Sequence, residues 1–144
     1  MIAAGAVPRG VLDTSTVILL ERITDVLSLP EEPMITAVTL AELSVGPLVA
    51  ANPQEQAIRQ LRLQQAEADF RPLPFDAAAA RSFGRVAASL HRGGRKSSAR
   101  AFDAMIAATA IANDLPLFTC NPSDFENIDE LDLRPIPHPD QLRD

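Results

Sequence analysis

Apolar runs of strand length alternate with stretches of helical periodicity along almost the whole chain, and that alternation leaves few folds open. Strands are read at 10–13 (GVLD), 34–38 (MITAV), 72–75 (PLPF), 116–119 (PLFT) and around 132–136. A helix opens at Asp13, with Val17, Ile18 and Leu20 on its apolar side. Another opens at Thr39, runs through Leu43 and is stopped near Gly46-Pro47. Pro53 begins a long polar helix to about Phe70, and Asp76 N-caps a helix whose buried stripe is Phe83, Val86, Ala87 and Leu90. The Ala-rich segment 100–114 is apolar nearly all round, which places it centrally. The expected architecture is α/β: one domain over 1–144, with a central parallel sheet of four to five short strands and helices on both faces. Residues 1–9 read as a loose N-terminal extension, and 93–99 (GGRKSSA) as a flexible joint.

At 144 residues, 47% of them hydrophobic, the chain is long enough to bury a core of its own. One cysteine, Cys120, excludes an internal disulfide and a thiolate zinc site. The N-terminus lacks a basic start, and its apolar run stops at Pro8, so no secretory signal is expected. No stretch approaches the ~20 apolar residues of a membrane span. The expected location is the cytoplasm. A net charge of −6 argues against a protein that coats DNA, because phosphate neutralisation supplies most of such affinity. It leaves room for an enzyme whose carboxylates add to the count, and for a basic protein partner.

Four of those carboxylates are placed alike. Asp13, Glu42 and Asp124 each follow a predicted strand, and Asp103 lies in the first turns of the helix 100–114. Parallel sheets bind ligands beyond the carboxyl ends of their strands, so these acids are positioned to converge. Carboxylates that converge repel one another unless a proton or cation holds them, and an oxygen-only set selects Mg²⁺ or Mn²⁺. Each acid also has a local reading. Thr39-x-x-Glu42 has the form of a capping box, Asp13 and Asp124 suit N-caps or turns, and Arg100 lies one turn from Asp103. At ~100° per residue, Phe102, Ile106, Thr109 and Asn113 share a sector with Asp103 at its edge. His91 and His138 are isolated, and no P-loop, nucleophile elbow or dinucleotide fingerprint occurs.

Arginine supplies twelve of the thirteen basic residues. Arg81, Arg85 and Arg92 fall within ~40° on the 76–92 helix, and Arg95, Lys96 and Arg100 follow. This is either a solvated face or a phosphate track leading to Asp103.

With VLDTS (11–15), TLAEL (39–43) followed by Gly46, FDAMIAATA (102–110) and LPLFTCNPSDF (115–125), the chain resembles the PIN-domain ribonucleases. It is most similar to the VapC toxins of bacterial toxin–antitoxin pairs, and the blocks occur in family order from Val11 to about Pro137. The resemblance implies a PIN-like fold and a Mg²⁺- or Mn²⁺-dependent endoribonuclease. It implies Asp13, Glu42, Asp103 and Asp124 as the catalytic, metal-holding acids, with Ser15 and Asn121 in support. It further implies a structured RNA such as tRNA as substrate, a homodimer, and a VapB-like antitoxin. Cys120 stands where relatives often carry Arg, Pro47 follows Gly46 unusually, and 53–70 matches no family motif. Two rival readings are a metal-dependent phosphatase, disfavoured by Ser15 where an aspartyl-nucleophile enzyme needs Asp, and a catalytically inactive PIN-like binding module.

Overall fold

A computed structural model describes residues 7–94 and 100–142. Four short strands, β1 (Arg9–Leu12), β2 (Glu32–Met34), β3 (Leu117–Thr119) and β4 (Leu133–Pro135), form one sheet. Its order is β2-β1-β3-β4 and every pairing is parallel. The helices are α1 (Thr14–Leu19), α2 (Ala37–Val45), α3 (Pro53–Asp69), α4 (Ala77–Arg92) and α5 (Ala101–Ala112).

Successive side chains of a strand point to opposite faces, and here both faces are apolar. Val11 and Leu117 face a core built with Val86 and Leu90 of α4 and Ile106 of α5. Leu12 and Phe118 face a second core with Val17, Ile35, Leu43 and Ala66. The result is a three-layer sandwich with α4 and α5 on one side and α1 to α3 on the other. Ala104, Ala107, Ala108 and Ala110 are all buried, so α5 is the central helix the composition called for. Its expected apolar sector is broken at Phe102, which is 55% exposed. Gly10 is fixed by packing, since a Cβ there would run into the ring of Phe118.

Several boundaries differ from the sequence reading. Val7 packs on the second core, and the Val7 and Pro8 carbonyls accept from Glu31 and Glu32. Residues 7–9 therefore form the start of the interior strand β1 and its lead-in, paired toward β2, rather than a loose extension; residues 1–6 lie outside the described residues. The second strand ends at Met34, and α2 begins at Ala37 because the Thr36 hydroxyl caps it by accepting from the Thr39 amide at 3.2 Å. PLPF forms no strand of the sheet. It makes one bridge, Leu73 to Thr36, through two backbone hydrogen bonds. The two prolines flanking Leu73 cannot donate to a ladder, which limits the pairing to that residue.

Candidate active site

Sheet order reverses between β1 and β3: the chain moves outward to β2 from one and to β4 from the other. Such a switch point leaves a crevice beyond the carboxyl ends of the two central strands. Asp13 follows β1 directly, while Thr119 ends β3 and Asn121 follows close behind.

Asp13 is 2% exposed, and its carboxylate is saturated with donors. It N-caps α1 by accepting from the Thr16 amide at 3.3 Å, and the Thr16 hydroxyl donates to the same Oδ1. Oδ2 accepts from Ser15 Oγ at 2.9 Å and from Thr119 Oγ1 at 3.0 Å. Asn121 Nδ2 donates to Ser15 Oγ at 2.9 Å, so Ser15 touches Asp13 directly and Asn121 only through Ser15. Burial pushes the Asp13 carboxyl above its ordinary range, and the hydroxyl donors pull against that shift.

Glu42 is not part of a capping box. Thr36 is the cap of α2, which frees the Glu42 carboxylate to face α1, where Thr14 Oγ1 donates to Oε1 at 2.7 Å. Thr14 and Thr39 hydroxyls are also paired, at 2.9 Å. Asp124 lies in the short 3-10 turn Pro122–Phe125 after β3 and accepts from Arg100 Nη1 at 2.6 Å. The same nitrogen stands 3.7 Å from Asp103 Oδ2, so Arg100 serves both acids.

Asp103 reports on the whole group. Its carboxyl is raised to about 6, first by burial and then by the negative charges of Asp124, Asp13 and Glu42, with Arg100 opposing. Carboxylates from four distant segments thus share one field. Among the described residues no buried side-chain polar atom lacks a hydrogen bond, so what the site leaves unbalanced is charge rather than bonding.

An all-oxygen, net-negative cluster has the donor chemistry of a hard divalent cation. Its spacing is wider than a closed coordination shell, since among the described residues no three acids, histidines or cysteines come together closely enough to ligate at once. Arg100 supplies the local positive charge in this arrangement.

The proposed arginine track is not continuous. Arg85 donates to Glu130 at 2.7 Å and Arg92 to Asp129 at 2.9 Å. Arg85 sits by Ile111 and Asp114, about two turns along α5 from Asp103. Arg85 and Arg92 also bond the buried Ser82 and Ser89, so both are engaged with their own helix and its acidic neighbours. Arg81 is exposed; Arg95 and Lys96 lie outside the described residues; among the described residues of the track, Arg100 is the one that reaches the acids. The threonines Thr14, Thr16 and Thr119 were missed by the sequence reading. Their one visible signal was a hydroxyl residue flanking each apolar run, beside VLD and at the end of LFT.

A three-layer α/β domain with acids at its switch point is the class this geometry defines. The family model for the PIN domain matches residues 11–131, and the chain belongs to that family. Within it the similarity is to VapC proteins. The chain is 41% identical over 122 residues to ribonuclease VapC5 of Mycobacterium tuberculosis, spanning 83% of this chain and 87% of that one. Ribonuclease VapC of Rickettsia bellii is 28% identical over 130 residues, covering 88% and 96%. The crystal structure of VapBC-5, a toxin–antitoxin system from Mycobacterium tuberculosis, superposes with a TM-score of 0.76 at 34% identity over 89% of this chain and 98% of that one. No helix among the described residues is long and apolar enough to cross a membrane.

Proposed function

We propose that this chain is an endoribonuclease, the toxin of a type II toxin–antitoxin pair, and that it uses Mg²⁺ or Mn²⁺ held by Asp13, Glu42, Asp103 and Asp124. The observation that carries this reading is that carboxylates from four separate segments gather at the switch point, close enough to act on one another's charge, with Arg100 bonded to Asp124 and 3.7 Å from Asp103. The names of its relatives, two ribonucleases and a toxin–antitoxin assembly, support the choice of RNA and of an antitoxin as partners. A bound divalent cation supplies charge neutralisation at the scissile phosphate and activation of water.

The chain's own residues do the rest. Ser15, Thr16 and Thr119 hold the Asp13 carboxylate in one orientation, and Asn121 holds Ser15. Thr14 aims Glu42 toward the same crevice. Asp103, raised to about 6 by burial and by the neighbouring acids, is still largely ionised at neutral pH, so the site carries negative charge that an incoming cation relieves. Arg100 neutralises Asp124 and Asp103 in the absence of a cation. A homodimer, a structured RNA such as tRNA as target, and a cytoplasmic location complete the proposal.

Asp13→Asn and Asp103→Asn are expected to abolish Mg²⁺-dependent cleavage of RNA, and excess EDTA to silence the wild type, with circular dichroism unchanged. Full cleavage by both variants, or in EDTA, sinks the reading. Faster turnover of p-nitrophenyl phosphate than of any RNA would point to the phosphatase instead.

A further inference from the structure

Next to Glu42 the structure opens a cleft of about 450 Å³ whose walls include Thr14, Leu43, Glu55, Arg59 and Arg62. It continues the acidic site outward, toward the surface of α3. A polyanion entering there meets Glu42 and Glu55 first, and needs a cation that is not already committed. Arg100 is committed to Asp124 and Asp103. Arg59 is committed to Glu55 at 3.1 Å and to the Gly46 carbonyl at 3.0 Å. Arg62 is different. It is half-buried, and among the described residues it has no ion-pair partner. It also borders the groove that holds Glu21 and Asp69, yet neither lies within ion-pair distance.

Arg62 is thus an uncommitted guanidinium on the wall of this cleft, and its planar fork suits a phosphate. From this we infer that Arg62 binds a backbone phosphate of the RNA flanking the cut, and so sets how the strand crosses the acids. The inference rests on the nuclease reading. It gives a purpose to α3, which the family motifs leave without one. Arg62 acts on binding and register and takes no part in bond cleavage.

The test uses the full-length protein, with Arg62→Ala and Arg62→Lys. Initial rates on a fluorescein-labelled, mixed-sequence single-stranded RNA give kcat and KM across a salt series. Arg62→Ala is expected to raise KM about tenfold with kcat within about twofold, and to flatten the log KM against log salt slope by about 0.7. Arg62→Lys is expected to restore the slope and only part of the affinity. Unchanged KM and slope in both variants overturn the inference, as does a fall in kcat at constant KM. Weakened binding to the antitoxin with RNA parameters intact also overturns it, making Arg62 a protein contact. If Arg62→Ala fails to fold, the lysine variant decides. If the wild type cleaves no RNA, the nuclease reading falls separately, and fluorescence anisotropy on the same RNA still judges Arg62: equal affinity of wild type and variant, or no binding by either, refutes the contact.

Discussion

Replacing Asp103 with Asn should stabilise the cation-free protein at neutral pH and leave it unchanged in acid. Asp103 titrates at about 6 in the folded chain against an ordinary 3.8. The folded state therefore binds its proton more tightly than the unfolded state does. Below about pH 4 both forms are protonated and nothing is lost; as pH rises through 6, stability falls. A shift of about two pH units corresponds to about 3 kcal/mol as a ceiling. The side chain is 26% exposed, so solvent screening reduces the expected effect to about 1–2 kcal/mol. For a domain of this size that is a rise of roughly 3–7 °C in Tm at pH 7.5 for Asp103→Asn. Urea unfolding in EDTA at pH 4.5 and 7.5 reads the difference directly, and saturating Mg²⁺ should narrow it by stabilising the wild type more than the variant. If Asp103→Asn is no more stable at pH 7.5, or if the gain is the same at both pH values, the shared-field account of this site is wrong.

Other outcomes follow from single contacts. Thr119→Val removes one donor from the buried Asp13 carboxylate and one acceptor from the Asn121 amide; it should cost about 1–3 kcal/mol in urea unfolding and lower cleavage. Arg100→Ala should reduce the Mg²⁺ concentration needed for half-maximal cleavage several-fold, because the competing cation is gone; an unchanged or higher midpoint would show that Arg100 helps the cation rather than competing with it. Arg85→Ala with Arg92→Ala breaks two exposed ion pairs, worth at most about 1 kcal/mol each, and should leave KM for RNA and its salt slope near wild type.

The parallel α/β plan and the central position of α5 were legible because they depend on local periodicity, which 144 residues display openly. The convergence of the four acids was legible because each follows a strand or opens a helix. What surrounds them was not. Thr119 and Asn121 meet Asp13 and Ser15 across 106 residues, and Cys120 donates its amide to Thr16 across 104, separations at which sequence carries no pairing signal. Glu42 was misleading for a related reason. Thr36 and Thr39 both suit an N-cap, and only the fold decides between them, by bringing Thr14 against Thr39 and Glu42. The arginine face was read from helical spacing alone, which cannot reveal that Asp129 and Glu130 sit opposite Arg92 and Arg85.

The long reach from Thr119 back to Asp13 bears on how such a chain is made. During translation Asp13 leaves the ribosome long before its partners on β3 exist, and β1 has no central neighbour to pair with until they arrive. An RNA-cutting site assembled from these two strands cannot form on a half-finished chain. Whatever such a site acts on meets the finished chain only, by which time a protein partner has a complete surface to bind.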